Sequence, residues 1–469
     1  MYVKQLYTGC LSEAAYYIES NGEAAIIDPL RDIDAYLDLA NERKARIKYI
    51  FETHFHADFV SGHLDLAKAT GAPIVYGPGT TTKYPVHVAA DGEKFMIGDI
   101  SLEVLHTPGH TLESSCYLLK DENRKDYCVF TGDTLFVGDV GRPDLAQKDA
   151  DITMNDLAGM MYESIHAKLF PLADGVIVYP AHGPGSSCGK NLGPNTQSTI
   201  GEEKRLNYAM KAATKEDFIK QVTEGINTPP LYFPINAQIN KEGYDSLDDL
   251  LVQGMTALSV NTFKQLIQDN AIILDTRHAD VFTQGFVPGS VFIGLEGRFA
   301  EWVGSLLPFD APIILVTEIG QEKETIVRMA RVGFDKVKGY LNGGYPAWKN
   351  AGEPIDMIID VEADELMMDL PFDNNLVVID VRQPTEFADG HLAEATNIPL
   401  NDMNDPASMA NLEDTQNLYV HCAGGYRSVI ASSLLKRQGF HNLRNIAGGW
   451  AKIKEQEKVE IVKEKSLLN

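Results

Sequence analysis

Ile273-Leu274-Asp275-Thr-Arg277 returns as Val378-Ile379-Asp380-Val-Arg382, at an offset of 105 positions. Phe282 and Gly285 find Phe387 and Gly390 at the same offset, and Gly343-Gly344 finds Gly448-Gly449. A repeat of this length confines the second half of the chain to two similar units, at about 255–355 and 356–469. Each unit alternates short apolar runs with helical patterns: AIIL and IILV in the first, LVVI and LYV in the second. That is the signature of a small α/β domain built on a parallel sheet.

Residues 1–245 follow a different rhythm, with apolar strands at 24–27, 47–51, 73–76, 100–105, 127–130 and 176–179. Helical faces fall between them, one through Ile33, Tyr36, Leu37 and Ala40, another through Leu157, Met160, Met161 and Ile165. Asn227-Thr-Pro-Pro-Leu-Tyr-Phe-Pro234, with the polar residues that follow to about 250, reads as the connection between the halves. The formal net charge of −25 excludes broad binding to nucleic acid or anionic membrane, which needs clustered Lys and Arg. No apolar run reaches the roughly 18 residues that span a bilayer. The first residues lack the apolar core of a secretory signal. Five widely spaced cysteines make no disulfide framework. The expectation is a protein of the reducing cytoplasm, forming a homo-oligomer.

Four strand ends deliver His or Asp. IKYIFET runs into His54-Phe-His56-Ala-Asp58-Phe59, ISLEVLHT ends at Pro108-Gly109-His110, YCVFTG at Asp133, and VIVYPA at His182. Strand ends are where folds of this kind cluster their sites. Imidazoles and carboxylates without sulfur are ligands for zinc or iron.

At these residues the sequence resembles the metallo-β-lactamase superfamily. Asp28, HFHAD, Pro-Gly-His110, Thr-Gly-Asp133 and Pro-Ala-His182 are its markers, in order, over about residues 1–240. The resemblance implies an αββα sandwich with metal at the sheet edges. Two-metal hydrolases of the superfamily read His-x-His-x-Asp-His, and here the last position is Phe59, which has no lone pair to give. That weakens a second metal site without abolishing it, since Asp58 and His182 remain. Gly141-Arg142-Pro-Asp144 looks like the Gly-Arg-x-Asp segment of the persulfide dioxygenases, the iron branch. The resemblance then implies one iron(II) per chain, with zinc as the alternative, held by His54, His110 and Asp133. His56, Asp58, His182 and Phe59 would line the site behind the ligands. Arg142 either orients an anionic thiol substrate or makes a salt bridge to Asp144.

LYV at 418–420 runs into His421-Cys422-Ala-Gly424-Gly425-Tyr-Arg427, followed by a helix-forming stretch. A Cys in a glycine loop opening a helix meets converging N–H groups and the positive helix end, which stabilise a thiolate, and Arg427 adds charge. The segment resembles the rhodanese sulfurtransferases, with Asp380-Val-Arg382, Glu386-Phe387, Gly390-His391-Leu392, Asn397-Ile-Pro399 and Gly448-Gly449-Trp450 all fitting. From Cys422 to Arg427 the loop spans six residues, the length of a sulfur acceptor; the related phosphatases use one more. Cys422 and Arg427 are then the catalytic pair, and Gly424 and Gly425 bind substrate. Ala393-Glu394-Ala395 departs from the family, which often has Gly there. The first repeat reads Thr317-Glu318-Ile-Gly-Gln-Glu322 at the loop position, without Cys or Arg, and is expected to be catalytically silent. Cys116 and Cys128 read as core, and Cys10 carries no signal. Cys188 falls on a flexible loop near the predicted site, as a spectator or an auxiliary thiol that accepts sulfur.

The expected fold is therefore α/β multidomain, an αββα sandwich followed by a silent and an active rhodanese-like domain. The order of domains resembles the bacterial persulfide dioxygenase–rhodanese fusions. That implies oxidation of a low-molecular-weight thiol persulfide by O₂ to sulfite, and sulfur transfer through Cys422 to form thiosulfate or the reverse, in sulfide detoxification. Two other classes stay open: a glyoxalase II-like thioester hydrolase, and a non-catalytic scaffold with a structural metal.

Overall fold

The computed structural model describes residues 1–146, 152–226, 228–405, 407–457 and 459–464. The chain divides into two units, one of Met1–Leu250 with Val327–Asp335 and one of Leu251–Ile326 with Lys336–Asn469.

The first unit is built on two six-stranded sheets. One runs in the order β1 (Tyr2–Thr8), β2 (Glu13–Ser20), β3 (Glu23–Ile27), β4 (Arg46–Phe51), β5 (Ile74–Tyr76), β6 (His87–Val88). The other holds β7 (Lys94–Ile97), β8 (Ile100–His106), β9 (Ser115–Lys120), β10 (Asp126–Gly132), β11 (Ile177–Pro180) and β12 (Ser198–Thr199) in reverse order. Period-two alternation sorts their side chains. Ala14, Tyr16 and Ile18 of β2 join Tyr117, Leu119, Cys128 and Phe130 in the core between the sheets. Ala15 and Tyr17 face the other way, onto Tyr36, Leu39 and Leu66 of the helices Asp34–Arg43 and His63–Thr70. Behind the second sheet, Cys116, Leu118 and Val129 pack on Ala158, Met161, Phe218 and Val222 of the helices Met154–Ser164 and Lys215–Thr223. The layers are αββα.

The six strands read from apolar runs all form, within about two residues of the expected ends. Strands β1, β2, β6, β7, β9 and β12 were not among them. Glu-Ala-Ala-Tyr-Tyr-Ile-Glu-Ser is buried on both faces, so it shows no polar alternation by which to recognise a strand. The expected connection is also corrected. Asn227 lies outside the described residues, but the stretch beyond holds the helices Phe233–Glu242 and Leu247–Gly254. Pro234, read as a loop residue, sits in the first turn of a helix, where its missing N–H costs nothing. Segment 327–335 is bound into this unit by buried Arg31, whose guanidinium donates to Asp335 Oδ1 at 2.6 Å, to Asp335 Oδ2 and the Asp245 carbonyl at 2.9 Å, and to the Ala330 carbonyl at 2.8 Å.

The second unit contains two five-stranded sheets with parallel neighbours throughout. The first orders β13 (Ala257–Leu258), β17 (Val337–Leu341), β16 (Ile313–Val316), β14 (Ile272–Asp275), β15 (Val291–Phe292). The second orders β18 (Ile359–Val361), β23 (Leu443–Ile446), β22 (Asn417–His421), β19 (Leu376–Asp380), β21 (Ala395–Asn397), with β20 (His391–Leu392) paired separately to β24 (Ile461–Val462).

The repeated Asp-x-Arg forms the same buried clamp in both. Arg277 Nη2 donates to Asp275 Oδ2 at 2.7 Å and to the Gly285 carbonyl at 2.9 Å. Arg382 Nη2 donates to Asp380 Oδ2 at 2.6 Å and to the Gly390 carbonyl at 2.8 Å. Each guanidinium also lies over an aromatic ring, Tyr345 in one repeat and Trp450 in the other. The repeat thus encodes a scaffold device that ties the end of a central strand to the turn after the next helix. Arg277→Ala or Arg382→Ala strands a buried carboxylate and should cost about 3–5 kcal/mol. Glu318→Ala, on an exposed loop, should cost under about 0.5 kcal/mol. Urea unfolding followed by circular dichroism measures both.

Candidate metal centre and thiol site

The metal loop follows β4 and is held from three sides. Asp28, at the end of β3 with φ +50°, accepts from Thr53 N at 2.7 Å and from Thr53 Oγ1 at 2.8 Å. Asn240, from the helix Phe233–Glu242, donates through Nδ2 to the carbonyls of His56 and Phe59, both at 2.8 Å, and accepts from Ser61 N at 2.9 Å. Val60 N donates to the Arg331 carbonyl at 2.7 Å. Sequence reading missed Asn240 and Arg331, because nothing local marks a residue that satisfies a loop 179 or more positions away.

His54, His110 and Asp133 present ligand atoms within 4.8 Å of one another, all buried. Asp133 Oδ2 stands 3.4 Å from His110 Nε2 and 3.9 Å from His54 Nε2. Its other oxygen, Oδ1, stands 3.5 Å from His182 Nε2, which is 3.4 Å from Asp58 Oδ2. His56 is brought to a different neighbourhood, with Nε2 at 3.0 Å from Asp28 Oδ1 and 3.6 Å from Glu52 Oε2. The buried ring of Phe59 packs on the His56 imidazole.

Partners on the far side fix the imidazole tautomers. His110 Nδ1 donates to the Arg142 carbonyl at 2.8 Å, and His182 Nδ1 to the Ser12 carbonyl at 3.2 Å. Thr53 Oγ1 gives its proton to Asp28, so at 2.9 Å it accepts from His54 Nδ1. All three rings therefore aim the Nε2 lone pair at Asp133. Burial, helped by the neighbouring imidazoles, pushes His54 well below the usual histidine range and keeps it neutral. Neither oxygen of Asp133 has a hydrogen-bond partner among the described residues, nor does Nε2 of His54, His110 or His182. A buried carboxylate facing only lone pairs is electrostatically incomplete, and a cation is what completes it. The residues fit a metal ion.

The Gly-Arg-x-Asp segment closes over this cluster. A Cβ at Gly141 would stand 2.1 Å from the Asp133 carbonyl oxygen and 3.0 Å from His110 Nδ1, so only glycine passes there. Arg142 donates through Nε and Nη2 to Asp144 at 2.7 and 2.8 Å and through Nη1 to the Ser187 carbonyl at 3.1 Å. Of its two expected roles, the ion pair with Asp144 is thus formed. Arg142 N donates to the Cys188 carbonyl at 2.9 Å. Cys188 lies on the loop after His182, as expected, and is 1% exposed. Its Sγ groups with Asp58 and His182, so sulfur does belong to this neighbourhood. Burial and the Asp58 and Asp133 carboxylates push its thiol up.

In the second unit Cys422 follows β22, 2% exposed, and Gly425 N donates to its Sγ at 3.1 Å. Gly425 has φ +105° and opens the helix Tyr426–Arg437, directing N–H groups into the loop. Gly424 borders open space. The Arg427 guanidinium is held by Glu386 in a two-point pair at 2.7 and 2.8 Å, which fixes its charge beside the loop and lowers the Glu386 carboxyl. Trp450 N donates to the Cys422 carbonyl at 2.6 Å, and a Cβ at Gly449 would stand 2.3 Å from that same oxygen, which accounts for the second glycine of the closing Gly-Gly-Trp. Residues of the first repeat brace the helix after Cys422. Ser433 Oγ accepts from Phe292 N at 2.9 Å, and Tyr426 Oη donates to the Gly294 carbonyl at 3.0 Å.

Comparison with known proteins agrees with this geometry. Residues 8–182 match the metallo-beta-lactamase superfamily, and residues 259–351 and 362–456 each match the rhodanese-like domain. The mitochondrial persulfide dioxygenase ETHE1 of Bos taurus is 31% identical over 209 residues, 44% of this chain and 73% of that protein. A probable hydroxyacylglutathione hydrolase of Schizosaccharomyces pombe is 28% identical over 250 residues, 48% of this chain and 91% of that one. The crystal structure of a metallo-beta-lactamase from Staphylococcus aureus subsp. aureus COL matches with a TM-score of 0.64 at 32% identity, over 73% of this chain and 98% of that chain. The chain belongs to the metallo-β-lactamase superfamily, as a metallo-β-lactamase domain with ETHE1-like relatives followed by two rhodanese-like domains.

Asn240→Ala should leave two carbonyls and one N–H of the metal loop without partners. We expect retained metal after dialysis to fall by about 10–100-fold in affinity, as for other residues that orient ligands, read by elemental analysis.

Proposed function

We propose that the first unit is an iron(II) persulfide dioxygenase that oxidises a low-molecular-weight thiol persulfide to sulfite, and that Cys422 is a sulfurtransferase nucleophile coupled to it. The observation that carries this reading is the two-His, one-Asp set with Phe59 where the two-metal hydrolases carry a further His. Two imidazoles and a carboxylate on one side of an ion are the arrangement of ferrous oxygenases.

Iron(II) held by His54, His110 and Asp133 would supply open positions for the persulfide sulfur and O₂. The reaction balances as R-S-SH + O₂ + H₂O → R-SH + H₂SO₃, with the terminal sulfur losing four electrons and O₂ gaining them. The chain's own residues hold the ligands still: the Thr53 hydroxyl and the Arg142 carbonyl fix the imidazoles, while the Phe59 ring packs against His56. At the second site the Cys422 thiolate attacks the outer sulfur of another persulfide and releases the thiol. Sulfite then takes that sulfur from Cys422-S-SH, giving thiosulfate and the thiol again. Gly425 N–H steadies the sulfur anion. Thiosulfate to thiol is the same path reversed. Sulfide detoxification in a reducing cytoplasm is the role that fits, with all five cysteines free and no helix among the described residues long and apolar enough to cross a membrane. We expect a homo-oligomer.

The second reading is thioester hydrolysis, favoured by the similarity to the Schizosaccharomyces pombe hydrolase and by Asp58 and His182 beside Asp133. Protein purified without oxygen separates the two. The dioxygenase requires about one iron per chain and persulfide-dependent O₂ uptake; two zinc ions with thioesterase activity would replace it by the hydrolase. His54→Ala, His110→Ala or Asp133→Ala should lose iron and O₂ uptake together, each by more than the roughly 10–100-fold expected for His56→Ala.

Cys422→Ser replaces the thiol by a hydroxyl that stays protonated at neutral pH. O₂ uptake with a persulfide should continue at the wild-type rate while sulfite replaces thiosulfate as product, measured by ion chromatography. Thiosulfate formed at the normal rate would remove Cys422 from the reaction.

A further inference from the structure

The parallel ladder sets a histidine against the Asp-Arg clamp in one repeat only. Asp380 of β19 pairs with His421 of β22, and at the same register Asp275 of β14 pairs with Val316 of β16. The main-chain bond that follows recurs as well: Val381 N donates to the His421 carbonyl and Thr276 N to the Val316 carbonyl, both at 2.9 Å. The residue after His421 is Cys422, and the residue after Val316 is Thr317. Strand, clamp and backbone are thus kept in both repeats, while the imidazole and the thiol are present together or absent together. Valine fills the same buried position, so the imidazole answers a demand that only the thiol repeat makes.

His421 is fully buried, and its Nδ1 lies 3.3 Å from the Cys422 carbonyl oxygen. A carbonyl can only accept, so this bond keeps a proton on Nδ1. Nε2 has no hydrogen-bond partner among the described residues and stands 3.8 Å from Asp380 Oδ2, beyond bonding distance. Burial pushes His421 below the usual histidine range, so the ring is neutral with its one proton turned toward Cys422. The same carbonyl accepts from Trp450 N at 2.6 Å, which occupies its second lone pair. Those two bonds fix the peptide plane after Cys422, from which the chain turns back to bring Gly425 N to 3.1 Å from Sγ. We propose that His421 is a positioning residue for Cys422: its Nδ1–H holds the Cys422 carbonyl so that the loop N–H groups meet the sulfur, as thiolate and as persulfide. The proposal rests on the sulfurtransferase reading of Cys422 and is independent of the metal.

Full-length protein without oxygen, given a thiol persulfide and sulfite, isolates the Cys422 reaction, because the dioxygenase then lacks a reactant. His421→Val installs the residue that the other repeat carries at this register, and His421→Asn keeps an N–H in the place of Nδ1. For His421→Val, kcat for thiosulfate formation should fall about tenfold, the worth of one buried hydrogen bond, with KM for sulfite within about twofold of wild type. His421→Asn should recover to within about threefold of the wild-type rate. Alkylation of Cys422 by iodoacetamide, followed on its peptide by mass spectrometry, should give the same order: wild type fastest, then Asn, then Val. A side chain that only fills space predicts the reverse, with Val tolerated and Asn damaging, and that order overturns the proposal. So does a His421→Val protein at the wild-type rate in both assays. If wild type forms no thiosulfate under these conditions, the sulfurtransferase reading fails, and the alkylation order alone decides whether His421 positions the thiol.

Discussion

Asp133 is a buried carboxylate, with neither oxygen hydrogen-bonded among the described residues and three imidazole lone pairs turned toward it. Removing a carboxylate from water costs several kcal/mol unless something repays it. Among the described residues no Lys or Arg hydrogen-bonds to it, and the three histidines cannot donate through Nε2, because carbonyls and a hydroxyl hold their protons on the opposite nitrogen. A metal ion answers both demands at once. Much of the first unit serves that arrangement: left-handed Asp28 anchoring Thr53, the Asn240 amide across the loop, and Gly141 passing too close to Asp133 for a side chain.

The two repeats of the second unit show what duplication keeps. The Asp-Arg clamp and the glycine turns recur with matching partners and nearly the same distances, because both sheets need the same strand end secured. The loop after the next strand is under no such constraint. It carries Cys422, Gly425 and the Glu386-held Arg427 in one copy, and exposed Glu318 and Gln321 in the other. The copy without a thiol still bears on chemistry, since its Gly294 carbonyl and Phe292 N–H brace the helix that follows Cys422.

Sequence legibility followed locality. Strands with one apolar run, strand-end His and Asp, and the glycine loop at Cys422 were readable because each signal lies within a few residues. Strand β2 was not, since burial on both faces erases alternation. Asn240 and Arg331 were not, since each acts across the chain on a partner chosen by the fold. Phe59 was read for what it lacks, and its packing on the His56 ring came only with the fold.

The central claim is that one iron(II) ion sits among His54, His110 and Asp133. Anomalous diffraction at the iron absorption edge, on crystals of protein purified without oxygen, locates that ion directly. The account predicts a single iron peak within bonding reach of His54 Nε2, His110 Nε2 and Asp133 Oδ2. No peak there, or an iron peak among Asp28, Glu52 and His56 instead, would contradict it.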